Sequence, residues 1–298
     1  MQDRIRAASL HKRYAGMYAL SGVSLTAMPD EARGVYGRSG AGKSALLRIM
    51  SGIETPDSGR IESEGSPVIS YAEPRLDDAM TPTETLELHC TLYGIPRRKR
   101  RSTIRDALVL LDLEPVCDRR ISTLTSGTRK RLELARVLIS PSPTLLLDEP
   151  MAGLDDLMRE RVWNHLLMLR TAEHRTIVVA TARSEDAELC DRIAVLHNGK
   201  ILADGTISHL RGIIGPEVVV IRPLSAGRPG GRGTWADKRA ITMSEQDGSV
   251  VVDMSAESTP TELLGEIAAQ AAGVRLSPRS LSVVLEELIT RSTDCTEG

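Results

Sequence analysis

The residues whose types and spacing could do chemistry run Gly37-Arg38-Ser39-Gly40-Ala41-Gly42-Lys43-Ser44, followed by Ala45, a G-x-x-x-x-G-K-[ST] pattern. Small residues let successive backbone N–H groups close around phosphate oxygens, and a helix starting at the same point adds about half a positive charge. Lys43 then reaches the β- and γ-phosphates, and Ser44 offers an oxygen to Mg²⁺. A lysine at a helix N-terminus opposes the dipole unless an anion is present, so a bound nucleotide is expected over an empty glycine-rich turn. A second group stands at Leu145-Leu146-Leu147-Asp148-Glu149-Pro150. Carboxylates at the end of an apolar strand lie where open parallel sheets bind ligands. Asp148 would hold the Mg²⁺, and Glu149 would orient or deprotonate an attacking water.

These two groups need a scaffold that brings distant residues to one sheet edge. Short strands are predicted over residues 5–10, 19–28 and 34–36, the last running into the glycine-rich turn. A helix follows over 44–51, with Leu46, Leu47, Ile49 and Met50 on its apolar side and Gly52 as its stop. Residues 60–71 read as a small β pair around Glu64-Gly65, and residues from about 80 to 140 as a helical insertion. Continuous apolar runs at Thr144–Leu147, Ile177–Val179 and Ile193–Leu196, with a helix around Trp163–Leu169 between the first two, predict a buried parallel sheet. Asn198-Gly199 between Val195-Leu196 and Ile201-Leu202 is a two-residue hairpin signal. Beyond about residue 212 the character changes. A strand at Val218–Ile221, a glycine-rich basic stretch at 227–233, a strand at Val250–Val252 and a capping box at Thr259-Pro260-Thr261-Glu262 form a separate small α+β domain.

Composition bounds what this scaffold can be. A chain of 298 residues, 41% apolar before its 24 glycines are counted, buries a full core over about two domains. With 38 basic and 40 acidic residues no global field draws it to nucleic acid or membrane, and seven aromatics without a phenylalanine leave little for base stacking. No nucleic-acid partner is expected. Cys90, Cys117, Cys190 and Cys295 form no CxxC pair, so neither a zinc site nor a disulfide framework is indicated. No apolar run is long enough for a membrane span, and the N-terminal residues do not resemble a secretory signal. The run Arg97-Arg98-Lys99-Arg100-Arg101 reads as a solvated helix start, or as a contact for anionic headgroups or a partner loop.

Between the two chemical groups lies Leu124-Thr125-Ser126-Gly127-Thr128-Arg129-Lys130-Arg131-Leu132-Glu133-Leu134-Ala135-Arg136. It resembles the signature segment of ATP-binding cassette ATPases, LSGGQ-x-x-R-L-x-L-A-R. Asp155 in Ala152-Gly153-Leu154-Asp155 is similar to that family's D-loop, Tyr14 to the aromatic that stacks on adenine, and Arg192–Ile201 to its closing strand and hairpin. The likeness spans residues 4–212, and the tail ending in Ser280–Leu288 more loosely resembles exporter subunits of the daunorubicin-resistance type. The resemblance implies an α/β P-loop NTPase core with an antiparallel β subdomain and a helical insertion over 1–212, followed by a small α+β accessory or regulatory domain over 213–298. It implies ATP and Mg²⁺ as ligands, bound to one chain's phosphate loop and capped by Thr125, Ser126 and Gly127 of a second cassette. The dimer, homo- or heterodimeric, would drive an integral membrane permease, an exporter, from the inner face of the cell membrane, with residues 73–83 in the region that receives it.

Three positions depart from the pattern. Ala182 stands where the family's switch histidine belongs, no glutamine follows the strand at Ile69–Tyr71, where Glu73 is the nearest replacement, and Ser126 replaces the first signature glycine. The rival expectation is therefore a weakly hydrolysing or non-hydrolysing cassette that regulates a more complete partner. A soluble cassette acting outside transport is the third.

Overall fold

The computed structural model describes residues 3–214, 217–223, 243–246, 249–253, 271–278 and 280–294. Two compact units divide at Thr206/Ile207.

The first unit is built on a six-stranded sheet of order β5-β6-β7-β3-β8-β9. Its strands are β3 (Ala32–Tyr36), β5 (Val68–Ser70), β6 (Thr144–Asp148), β7 (Thr176–Thr181), β8 (Arg192–His197) and β9 (Lys200–Gly205). All pairs are parallel except β8 with β9. Every residue of β3, β6 and β7 is buried, which is why these strands read as unbroken apolar runs rather than alternating ones. A three-stranded antiparallel sheet of β1 (Ile5–Tyr14), β2 (Met17–Ala27) and β4 (Ser58–Ser63) lies beside it. Helix α1 (Lys43–Met50) buries Leu46, Leu47, Ile49 and Met50 in the core shared by both sheets.

The expected β pair around Glu64-Gly65 is not a hairpin. β4 pairs with β1 and β5 pairs with β6, so the segment carries the chain from one sheet to the other. Gly65, at φ 76°, makes the bend, and the Glu64 amide still donates to the Arg4 carbonyl as the last rung of the first sheet. The hairpin at Asn198-Gly199 does form, with both residues at positive φ as a type I′ turn requires.

The helical insertion comprises α2 (Pro82–Leu92), α3 (Arg97–Leu110) and α4 (Ser126–Leu138). α2 begins behind a capping box in which Thr81 accepts from the Glu84 amide and the Glu84 carboxylate accepts from the Thr81 amide. The basic run is the first turn of α3. Arg100 folds back onto the Ile95 carbonyl and the Thr91 hydroxyl, while Arg97, Arg98, Lys99 and Arg101 are exposed. After β6 come α5 (Asp156–Glu173) and the short α6 (Ser184–Ala187).

The second unit holds α7 (Ile207–Ile214), an antiparallel sheet of order β11-β12-β10-β13 and α8 (Leu281–Asp294). Its strands are β10 (Glu217–Pro223), β11 (Met243–Gln246), β12 (Ser249–Asp253) and β13 (Ala271–Pro278). α7 packs on α8, which buries Leu281, Val284, Leu285, Leu288 and Ile289 at helical spacing, so α7 groups with this unit and the division falls before the expected 212/213. The glycine-rich stretch at 227–233 and the capping box at 259–262 lie outside the described residues.

Candidate functional site

β3 sits at the centre of its sheet, and its C-terminal end releases the loop 37–42 straight into α1. Backbone approach dictates the glycines. A Cβ at Gly37 would overlap the Leu196 carbonyl oxygen and one at Gly42, at φ 108°, the Ala19 carbonyl oxygen. The β8–β9 turn braces the same loop, its Gly199 amide donating 3.0 Å to the Ala41 carbonyl. Ala41 and Ala45 are buried behind the loop, while Arg38, Ser39 and Gly40 face outward.

Lys43 is buried, and its ammonium is held against the dipole of its own helix by three oxygen partners. Nζ donates 2.6 Å to Gly37 O and 3.3 Å to Arg38 O, and lies 3.1 Å from Glu149 Oε1. Asp148, the last residue of β6, is 3% exposed. Burial pushes its carboxyl above the usual carboxylate range, and neighbouring Glu149 adds to this. The Ser44 hydroxyl hydrogen bond and the cations of Lys130 and Lys43 pull the other way. Asp148 Oδ1 is a buried acceptor with no protein donor, next to a serine hydroxyl. An acceptor-only oxygen beside a hydroxyl oxygen is a donor set suited to a hard divalent cation such as Mg²⁺.

Glu149 is different in kind. Its side chain is 24% exposed, and its backbone is left-handed at φ 45° with the amide donating 2.9 Å to Ala180 O. While Oε1 pairs with Lys43, Oε2 accepts at 3.3 Å from the Ala182 amide. Glu149 thus spans the phosphate loop and the turn after β7. Arg183 beside it is exposed, 3.8 Å from Glu185 and 3.9 Å from Asp186.

The remaining sequence candidates lie apart from this cluster. Thr125 caps α4 by accepting 3.3 Å from the Thr128 amide, with Ser126 and Gly127 as the first two helical residues. Among the described residues, Thr125, Ser126 and Gly127 share no hydrogen bond or ion pair with Lys43, Ser44, Asp148 or Glu149 of their own chain. Asp155 caps α5, its carboxylate accepting 2.8 Å from the Met158 amide. Tyr14, at the end of β1, is 39% exposed and donates its hydroxyl 2.6 Å to Glu54 Oε1, and burial and that carboxylate push the phenol up. Glu73 is exposed in the loop that follows β5.

Sequence reasoning treated Lys130, Glu133 and Arg136 only as part of the signature segment. In the fold all three turn inward toward Tyr71 and the end of β5. The signal that could have found them is charge at positions 130 and 133, on a helix whose residues 128, 132, 134, 135, 137 and 138 are also buried.

The comparisons agree with this geometry. The ABC transporter family matches residues 20–152. The chain is 34% identical over 212 residues to the Nod factor export ATP-binding protein I of Rhizobium sp. (strain N33), covering 67% of this chain and 69% of that protein. It is 30% identical over 294 residues to a daunorubicin resistance ATP-binding protein of Streptomyces coeruleorubidus, covering 93% of each. The fold matches that of an ATP-binding subunit of an ABC transporter with TM-score 0.66 at 23% identity, over 70% of this chain and 92% of that one. It also matches a dimeric cassette in a post-hydrolysis state with ADP and Pi, with TM-score 0.64 at 23% identity, over 68% and 98%. This chain belongs to the ATP-binding cassette family, as one of the ATP-binding subunits of its transporters.

Proposed function

We propose that the chain binds ATP with Mg²⁺, hydrolyses it at the interface of a cassette dimer and thereby drives a separate membrane permease, an exporter, from the inner face of the cell membrane. The observation that carries the reading is that Lys43, Ser44, Asp148 and Glu149 meet at the C-terminal ends of the parallel strands β3 and β6, Lys43 against Glu149 and Ser44 against Asp148. The export direction is supported by the relatives named for Nod factor export and daunorubicin resistance. Among the described residues no helix is long and apolar enough to cross a membrane, which fits a membrane subunit on another chain.

In this reading the phosphates take the Lys43 ammonium from Glu149. That exchange frees Oε1 to accept a proton from water while Oε2 keeps its bond to the Ala182 amide. Water oxygen bonds to the γ-phosphorus, the bond to the bridging oxygen breaks, and ADP leaves with the electron pair. Ser44 and Asp148 would hold Mg²⁺, which would supply neutralisation of the phosphate charge. The loop amides of Gly40 and Gly42 cradle the β-phosphate, and Tyr14 offers its ring to adenine. Thr125 and Gly127, at an N-terminus of α4 that has no partner in the phosphate loop of its own chain, cap the γ-phosphate of the second cassette, homologous or identical.

A second reading has a specific observation behind it. Ala182 carries no side chain able to touch a γ-phosphate or water, so the chain could serve as the regulatory half of an asymmetric pair. Phosphate release by the purified chain separates the two. Turnover that Glu149→Gln lowers about 100-fold, with ATP still bound, supports hydrolysis at this site. Tight ATP binding with turnover no higher than in Glu149→Gln supports the regulatory half.

A further inference from the structure

Lys130 is 4% exposed, and its three ammonium protons have three carbonyl partners on two different strand ends. Nζ donates 2.8 Å to Tyr71 O and 3.2 Å to Ala72 O, just beyond β5, and 3.1 Å to Asp148 O, at the end of β6. One turn along α4, Glu133 is fully buried and accepts 3.0 Å from the Tyr71 amide. Glu133 also holds Arg136 at 2.5 Å, and Arg136 donates 2.8 Å to Ile69 O. The backbone of Tyr71 is therefore gripped by α4 on both its N–H and its C=O.

The third bond of Lys130 falls on the peptide that joins the two carboxylates of the site. The C=O of that peptide is held by Lys130, and its N–H, that of Glu149, is held by Ala180 O. With both ends fixed, the plane of this peptide sets where the Asp148 and Glu149 side chains depart, one inward to Ser44 and one across to Lys43. A buried ammonium is a costly way to fill space. An apolar side chain would fill the space, whereas this ammonium supplies the donors for three backbone carbonyls, so packing alone does not account for a lysine here.

We infer that Lys130 is a positioning residue for hydrolysis: it fixes the Asp148–Glu149 peptide and ties it to the loop after β5. A shift of that loop then reorients the two carboxylates through one side chain. The inference rests on the proposed hydrolysis at Asp148 and Glu149.

The test compares Lys130→Met, which keeps length and loses every donor, with Lys130→Arg, which keeps donors. Lys130→Met is expected to bind ATP with unchanged affinity and KM while kcat falls about 100-fold, the loss typical of a reacting group misplaced by about 1 Å. Its melting temperature is expected to fall, because three carbonyls lose their donor, whereas Lys130→Arg is expected to keep the melting temperature and to recover kcat to within about fivefold of the parent. Amide hydrogen exchange supplies a readout independent of turnover. In Lys130→Met the segments 70–80 and 147–152 should both exchange faster, while 37–44 stays as in the parent. Retained kcat in Lys130→Met, or faster exchange confined to 70–80, overturns the proposal. So does a folded Lys130→Arg that loses as much kcat as Lys130→Met. If the parent chain itself releases no phosphate above Glu149→Gln, the hydrolysis reading fails, and the paired exchange of the two segments alone still decides whether Lys130 ties them. If Lys130→Met does not fold, Lys130→Arg decides.

Discussion

The phosphate loop and the turn after β7 leave the ends of adjacent strands of one sheet, and they are constrained in opposite ways. At Gly37 and Gly42 backbone from β8 and β2 comes so close that no side chain fits, so folding and phosphate binding demand the same residues. At Ala182 the chain is exposed, and among the described residues its backbone is what contacts the site, with the Ala182 amide on Glu149 Oε2. Packing asks for no particular side chain there. The contrast teaches why one half of this site keeps every expected residue and the other half can lose a histidine without cost to the fold.

The sharpest way to break the comparison is to add one methyl on the constrained side. Gly37→Ala places a Cβ on the Leu196 carbonyl, which can only be relieved by moving β8 or the loop. Overpacking of this kind costs about 1–3 kcal/mol, and the loop amides would leave their phosphate geometry, so ATP affinity should fall about 100-fold or more. Equilibrium binding of a fluorescent ATP analogue measures it. Affinity within threefold of the parent would show the loop to be more yielding than its contacts imply.

The unconstrained side can be sharpened rather than broken. Ala182→His adds an imidazole at an exposed position, so the fold should be unaffected and the melting temperature unchanged within about 1 °C. If the departed position limits hydrolysis, kcat should rise about tenfold with ATP affinity unchanged, since a positioned acid–base group contributes to the reacting geometry and not to ground-state binding. An unchanged kcat would mean that the Ala182 amide already supplies the hold on Glu149 that matters.

What was legible in the sequence follows the same division. The phosphate loop was legible because its chemistry is contiguous: eight consecutive residues carry the glycines, the lysine and the serine. Asp148 and Glu149 were legible because an unbroken apolar strand announces its own end. The β4–β5 crossing was not, because a glycine between two β-like runs marks a turn without saying which strands it joins, and only pairing with the distant β1 and β6 decides that. Lys130 was not legible either. Its partners are carbonyls of Tyr71, Ala72 and Asp148, and backbone atoms leave no residue-type pattern behind. The box at Thr81-Pro82-Thr83-Glu84 has the same signature as the one at 259–262, yet it was not singled out as a helix start, because the apolar run of α2 begins only at Leu86.

The smallest expected effect probes the insertion against the sheet that carries the site. His89, on α2, is half-buried with Nδ1 unpartnered, and burial together with the nearby Arg136 cation pushes its pKa down to about 4. An unfolded histidine has its ordinary value near 6.5, so below that pH the unfolded chain binds a proton that the folded chain refuses. Stability contributed by neutral His89 is therefore complete above about pH 6.5, and it is lost progressively as the pH falls towards about 4. His89→Gln removes the proton and leaves the fold otherwise intact. Between pH 7 and pH 5 the parent should lose a few degrees of melting temperature more than the variant, about 1–2 kcal/mol at this chain size. Because His89 touches neither the phosphate loop nor the carboxylates, ATP affinity at pH 5 should be the same in both. If the melting curves of parent and variant fall together, acid acts elsewhere, and the insertion is not the part of this unit that protonation loosens.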